Sequence, residues 1–183
     1  MNGGASRLVA ALAALTIVAG LVLAVAFMAP EAPGLAPSPE GPGPGDVAAR
    51  VIRVVDGDTL VVQADGGPER LRYVGIDAPE IARQDGATAA ECWADEATMA
   101  HAGLVGGAVL RLERDVSDRD RFGRLLRHGW IERDGTWHHV GEELVRLGAA
   151  QARSYPPDTR YDGRLGDAER EARRNGLGLW GAC

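Results

Sequence analysis

Residues 47–76 read VAARVIRVVDGDTLVVQADGGPERLRYVGI. Val47 to Val55 and Thr59 to Gln63 are rich in β-branched side chains, which suit a pleated strand, and Asp56-Gly57-Asp58 separates them. A second turn signal, Asp65-Gly66-Gly67-Pro68, precedes Leu71 to Ile76. Three strands joined by loops this short form an antiparallel meander.

Downstream, Thr88 and Glu91 have the spacing of a capping box, and Trp93, Ala97, Ala100 and Leu104 recur at helical intervals until Gly106-Gly107. A helix from about Ala89 to Val105 is expected. Val109 to Glu113 and Arg124 to Ile131 read as two further strands, joined by the charged loop around Asp118 to Phe122. Val140, Leu144 and Leu147 mark a short helix stopped at Gly148. Thr159 is placed to cap a last helix on which Tyr161, Leu165, Ala168 and Ala172 share a face, ending at Asn175-Gly176. Three strands, a helix, two strands and two helices are compatible with a small closed barrel carrying helices on one side. The OB-fold is one example, so the expected class is β-barrel plus helices (α+β).

Before this domain, Leu8 to Met28 is an uncharged 21-residue apolar stretch, long enough to cross the roughly 30 Å core of a bilayer as a helix. Arg7 precedes it and no basic residue follows until Arg50, so the charge bias places the amino terminus inside and the rest outside the cytoplasm. Ala24-Val25-Ala26 resembles the small-residue site of a cleavable signal, while the length of the run favours a retained anchor. Residues 1–28 are thus a signal peptide or signal anchor. Residues 29–45 (APEAPGLAPSPEGPGPG) form a Pro/Gly-rich tether, and residues 46–183 the folded domain.

The chain of 183 residues has a formal net charge of −6, and all 20 basic residues are Arg. A protein that coats nucleic acid by charge alone would be basic, so this balance excludes a histone-like role but leaves room for a local phosphate site. Two Cys exclude a zinc ribbon or a disulfide-dense miniprotein. In an oxidising compartment, a Cys92–Cys183 bridge is expected to tie the last residue to the first helix; two unpaired thiols, or an intermolecular link through Cys183, are the alternatives. His138-His139 precede a helix with side chains that face apart, so they read as surface or capping residues and not as a metal pair.

Three segments can carry chemistry. Asp56 and Asp58, at i and i+2, project to the same side of an extended chain and offer hard oxygen ligands suited to Ca²⁺ or Mg²⁺. Taken alone, Asp-Gly-Asp is more often a hairpin turn. Arg72 to Glu80 (RYVGIDAPE) begins with a guanidinium and ends with two acids around Pro79. Strict alternation puts Arg72 and Asp77 on opposite faces, and a bulge near Gly75 would bring them together; a surface ion pair is the other reading of Arg72 and Glu80. Asp120-Arg121-Phe122-Gly123-Arg124 sits at a tight connection where Gly123 would aim Arg124, whose fork can hold two phosphate oxygens, across the barrel mouth. A solvated Arg-rich loop is the alternative.

In this combination and order the segments resemble the staphylococcal nuclease (thermonuclease-like) family, whose pattern is Asp-Gly-Asp-Thr, then Arg and a strand into Asp-x-Pro-Glu, then Tyr/Phe-Gly-Arg. The resemblance runs from about Val51 to Trp180 and implies a five-stranded OB-fold barrel with about three helices and a metal-dependent phosphodiesterase. It implies that Asp58 and Asp77 are metal carboxylates with the backbone carbonyl of Ala78 as a further ligand, and that Asp56 shapes the site from behind. By the same resemblance Glu80 orients or deprotonates the attacking water, and Arg72 and Arg124 grip the scissile phosphate. Tyr155 matches a residue that stacks a nucleobase, its alternative being a Tyr packed beneath the loop, and Arg121 is a further substrate contact. The loop Ile81 to Gly86 has one base and one acid where relatives are Lys-rich, which implies weak, salt-dependent substrate affinity.

The expected protein is therefore an extracytoplasmic Ca²⁺-dependent endonuclease of DNA and/or RNA, monomeric, without a protein partner, and attached to the membrane if residues 1–28 are retained. A noncatalytic OB-fold module binding nucleic acid or protein, or an envelope-attached interaction domain, are the competing classes.

Overall fold

The computed structural model describes residues 41–43, 45–64, 66–82 and 89–183. The apolar segment, nearly all of the tether and the loop 83–88 lie outside the described residues, among which no helix is long and apolar enough to cross a membrane. The strands are β1 (Val47–Val54), β2 (Thr59–Ala64), β3 (Gly67–Tyr73), β4 (Ile76–Asp77), β5 (Val109–Glu113), β6 (Leu125–Arg133), β7 (Thr136–His139) and β8 (Gln151–Ala152). The helices are α1 (Ala94–Val105), α2 (Val140–Arg146), α3 (Asp162–Arg174) and α4 (Leu179–Ala182).

The large sheet runs β3-β2-β1-β5-β6-β7, and β3 also pairs in parallel with β6, so β1, β2, β3, β5 and β6 close into a barrel. Closure leaves no free edge among these five strands and makes the interior a packed core. Leu60, Val62, Leu71, Tyr73 and Leu110 fill it, each no more than 1% exposed, while Trp130, opposite Arg111 in the β5–β6 register, packs on the outer face against His139 and Tyr161. α2 and α3 pack beside it through Leu144, Leu165, Ala168 and Ala172, and the buried Tyr161 ring packs against His128, Trp130 and His139. The five-stranded barrel with three helices of ordinary length is the expected OB-type α+β architecture.

Local details depart from the sequence reading. The first helix begins at Ala94 rather than Ala89, because Trp93 adopts a left-handed conformation (φ 72°) that ends the preceding segment. Glu91 does not cap it; its backbone N–H and its carboxylate both bond to the backbone of Glu80. Thr159 does not cap α3, whose N-cap is Tyr161 and has no side-chain capping bond. His138 and His139 are not on the surface: they end β7, which pairs with β6, and are 5% and 1% exposed. His139 does cap α2, accepting from the Glu142 N–H at 3.0 Å. Strands β7, β4 and β8 and helix α4, all four residues or shorter, are too brief to leave a periodic signal. Cys92 and Cys183 are joined, as expected.

Candidate active site

The β1–β2 connection is built around the Asp56 carboxylate. Its Oδ1 accepts the N–H groups of Asp58 (3.1 Å) and Thr59 (2.7 Å), a side-chain substitute for backbone turn bonds. Gly57 is required by close approach, since a Cβ there would stand 2.5 Å from the Ala78 Cβ. Asp58 is consequently driven inward to 3% exposure. Its Oδ2 accepts the Ala78 N–H at 2.8 Å and its Oδ1 the Thr59 hydroxyl at 3.0 Å. Asp56 therefore shapes the turn, and the main chain of Ala78 is held against Asp58.

Beneath the turn lies a residue that sequence reasoning passed over. His101 of α1 is fully buried, with Nδ1 2.8 Å from the Asp56 carbonyl and Nε2 3.3 Å from the Tyr73 hydroxyl. Only a donor can face a carbonyl, so Nδ1 bears the hydrogen and Nε2 accepts from Tyr73. Burial pushes the His101 pKa down and that of Tyr73 well above the ordinary tyrosine range, which keeps both groups neutral. One helical residue thus fixes the acidic turn against the barrel.

Arg72 stands opposite Thr59 in the β2–β3 register. After Tyr73 the chain turns at Val74-Gly75, with Gly75 at φ 82°, and re-enters as β4 paired to β8. This break in alternation brings Asp77 to the Arg72 side. Nη2 donates to Asp77 Oδ1 at 2.7 Å, while Nη1 is ion-paired with Asp58. Glu80 follows at the exposed rim, its backbone pinned by Glu91. Its pKa is raised, first by burial of its inner side and then by the charge of Asp56, against which Arg72 acts, with Asp77 and Glu91 adding to the rise.

The second guanidinium arrives from the loop before β6. Asp120, also missed in the sequence, accepts the N–H groups of Phe122 and Arg124 through Oδ1, both at 2.9 Å, and Arg124 Nε through Oδ2 at 2.6 Å. Burial alone would raise the Asp120 pKa, but the Arg124 side chain and these N–H donors outweigh it and hold it low. Gly123, at φ 80°, allows the turn to close. With Nε engaged, the two Nη groups of Arg124 have no hydrogen-bond partner among the described residues. Because β3 and β6 pair directly, with Arg72 opposite Leu126, both guanidinium groups line one cleft of about 210 Å³.

Tyr155 lines the same cleft, 41% exposed, and is not packed under its loop. Asp158, another cleft residue, is buried and holds the neighbouring loop through the N–H groups of Val116 (2.9 Å) and Ser117 (2.7 Å). Arg121 is not in this cleft; its guanidinium lies 4.6 Å above the ring of Phe122, which is 69% exposed. Arg72 is the shared wall: its fork holds Asp58 and Asp77, and the same residue lines the cleft with Arg124 and Tyr155.

Residues 70–182 match the family described as staphylococcal nuclease homologue. The chain belongs to the staphylococcal nuclease family. Among its relatives is a protein named Thermonuclease from Staphylococcus hyicus, 30% identical over 170 residues, covering 91% of this chain and 94% of that one. A Thermonuclease of Staphylococcus intermedius is 31% identical over 130 residues, or 71% of this chain and 74% of that protein. Endonuclease YncB of Bacillus subtilis is 33% identical over 130 residues, or 70% and 59%. The family match includes Arg72, Asp77, Glu80 and Arg124, and the Asp56–Thr59 turn lies just ahead of it.

Whether this staphylococcal nuclease fold suits a divalent cation is a question of donor chemistry. No three His, Cys, Asp or Glu side chains form a ready cage among the described residues. Even so, the carboxylates of Asp58 and Asp77 converge on a single guanidinium, and the charges of Asp56 and Asp77 add to the rise in the Glu80 pKa that burial chiefly causes. Four acids with Arg72 between them leave an excess of negative charge built entirely from hard oxygen. That set fits Ca²⁺ or Mg²⁺ and not a soft metal.

Proposed function

We propose that the chain is a Ca²⁺-dependent nuclease that hydrolyses phosphodiester bonds of DNA or RNA outside the cytoplasm. The observation that carries this reading is the shared wall: Arg72 borders both the Asp58–Asp77 pair and the cleft onto which Arg124 opens. Two guanidinium groups flanking one cleft suit a phosphodiester, whose oxygens gain negative charge in the transition state, so their grip strengthens as the reaction proceeds. Asp120 orients Arg124 for that task by fixing Nε and leaving the Nη fork to the substrate. Glu80, on the rim near Arg72, accepts the proton of the attacking water; its raised pKa makes it a better base, and such help is worth about 10² to 10⁴ in rate.

Asp58, Asp77 and the Ala78 carbonyl would hold the cation, which supplies Lewis-acid polarisation of the phosphoryl oxygen and neutralises developing charge when bound. Tyr155 offers a face for a base. The Cys92–Cys183 bridge supports an oxidising compartment, as does the apolar segment Leu8 to Met28 in the sequence.

The test is cleavage of single- and double-stranded DNA and of RNA by the full chain with Ca²⁺, with Mg²⁺ and with chelator, beside Arg72→Ala and Glu80→Gln. Ca²⁺-dependent cutting that each substitution lowers by at least about 10²-fold is expected. No cutting by folded protein under any condition overturns the reading in favour of a noncatalytic nucleic-acid or protein binding module.

A further inference from the structure

Most arginines near the candidate site answer an acid: Arg72 holds Asp58 and Asp77, Arg119 holds Glu69, Arg124 holds Asp120, and Arg127 holds Asp118. Arg50, Arg53 and Arg70 are different. All three are exposed, and among the described residues none is ion-paired to a carboxylate and the sole hydrogen bond of the three runs from Arg50 to the Gly107 carbonyl at 3.2 Å.

The sheet register places them together. Leu60, Val62 and Leu71 point into the barrel, so Val61 and Arg70, which are partners, point outward. A register shift between Val51 and Arg53 on β1 sets Arg53 opposite Val61 on that same outer face. One cross-strand row therefore reads Arg53, Val61, Arg70, its ends about 10 Å apart at two inter-strand steps. Val61 is only 8% exposed although it faces out, as expected if the aliphatic stems of the flanking arginines cover it. Arg50, opposite Gln63, lies in the next row on the same face. At the other end Arg70 is two residues from Arg72 on β3, about 7 Å along the strand and on the same side. Glu69, the neighbouring acid, points to the opposite side and is neutralised by Arg119 at 2.9 Å.

We propose that Arg70, Arg53 and Arg50 form a track for the sugar-phosphate backbone of a nucleic acid, continuous with Arg72, along which the strand leaves the cleft. The inference rests on the nuclease reading and deepens it: the substrate is a polynucleotide engaged well beyond the cleaved bond. Uncompensated guanidinium groups in an acidic protein complement a polyanion, and the track starts on the strand that supplies Arg72. That continuity favours nucleic acid over an anionic lipid surface. Ile52, 48% exposed beside Arg53, gives the sugars an apolar contact.

The test measures binding of the full chain in nonionic detergent to a labelled single-stranded 20-mer and to a trinucleotide. Chelator is present and oligonucleotide integrity is checked after each titration. Wild type is compared with Arg50→Ala/Arg53→Ala/Arg70→Ala, with the corresponding triple Lys variant, and with Arg72→Ala. For the triple Ala variant, the preference for the 20-mer over the trinucleotide is expected to fall on the order of 100-fold at 0.1 M salt. The slope of log K against log salt should drop by about 2, three contacts at roughly 0.7 each. The triple Lys variant should restore most of both, since a point charge suffices for a phosphate.

An unchanged 20-mer preference and slope in the triple Ala variant, with Arg72→Ala still weakened, overturns the track and leaves the nuclease reading standing. Wild-type protein that neither binds nor cuts any nucleic acid overturns both. Loss of sedimentation with phosphatidylserine vesicles in the triple Ala variant, at unchanged oligonucleotide binding, assigns the face to lipid and also overturns the track. Equal weakening of 20-mer and trinucleotide, or in the Lys variant as much as in the Ala variant, marks a general structural loss and overturns it too.

Discussion

Substituting Ala for Gly57 tests whether the acidic turn is held where the geometry puts it. The new Cβ would lie 2.5 Å from the Ala78 Cβ and 3.2 Å from the Ala97 Cβ. Carbon atoms in contact prefer about 3.5 to 4.0 Å, so the first separation is short by about 1 Å or more. Neither Cβ is the free end of a flexible chain; each is bonded to its own backbone, so the turn and the segment at Ala78, just after β4, must move apart. Overpacking of this kind costs about 1 to 3 kcal/mol. At about 3 °C per kcal/mol for a domain of this size, Tm should fall by about 6 °C. The same movement pulls Asp58 from the Ala78 N–H, now at 2.8 Å. A 1 Å displacement of a reacting group costs about 10²-fold in rate, so activity should fall by about that factor, more than the lost stability explains. A double-mutant cycle gives the decisive assay: Ala78→Gly removes the methyl that Gly57→Ala strikes, so the pair should recover over half of the Tm loss and most of the rate. Additive losses would refute the close approach, and an unchanged rate in Gly57→Ala would refute the role given to Asp58.

Removing the bridge with Cys92→Ala should lower stability by up to about 4 to 5 kcal/mol, because the closed loop spans 91 positions; coincident melting of wild type and variant would refute this. Burial lowers the folded pKa of His128 to about 4, below the ordinary 6.5, so the unfolded chain binds the proton first. Stability is then complete above pH 6.5 and declines as pH falls toward 4, by about 2 kcal/mol at pH 5, and buried His139 acts in the same direction. Comparing Tm at pH 7.5 and pH 5 in wild type and His128→Gln checks this, since the variant should show the smaller acid loss while the opposing effect of Glu80 is common to both. Asp120→Asn keeps an acceptor for the turn but weakens the hold on Arg124; kcat/KM should fall about 10-fold at nearly constant Tm, and a fall in Tm without a fall in rate would contradict the positioning role.

How much of this was visible in the sequence differs between elements for physical reasons. The β1–β2–β3 meander was legible because β-branched runs and Gly-containing turns are local signals, and α3 because Tyr161, Leu165, Ala168 and Ala172 repeat at helical spacing and are all buried. The start of α1 was not, since Trp93 in a left-handed conformation is a tertiary solution that propensity disfavours. The meeting of Arg72 with Asp77 was expected only if alternation failed near Gly75. The structure supplies that failure as a turn and a change of partner strand, from the large sheet to β8. His101 gave no usable signal: its partners are a main-chain carbonyl 45 positions away and a hydroxyl 28 away. Asp120 was within reach, because an acid four residues before Arg124 across a Gly turn is a local pattern.

The net charge of −6 argues against nucleic-acid binding only if charge acts as a whole-molecule quantity. At physiological ionic strength a surface charge is screened within about 8 Å, so what a phosphate meets in the cleft is set by the groups around it. Most acids on α2 and α3 are beyond that concern, for they are paired where they stand: Glu142 with Arg146 and Arg164, Asp167 with Arg170, Glu171 with Arg146, Glu169 with Arg173. At the cleft the same pairing rule is broken in one direction. Among the described residues the Nη fork of Arg124 has no hydrogen-bond partner while Asp120 occupies Nε, and Asp58 and Asp77 are held by Arg72. An acidic protein can thus present an open guanidinium fork at a cleft beside a locally acidic turn. Uniform surface charge of either sign could not produce that separation, because it depends on one strand, β3, carrying Arg72 between two turns with opposite charge requirements.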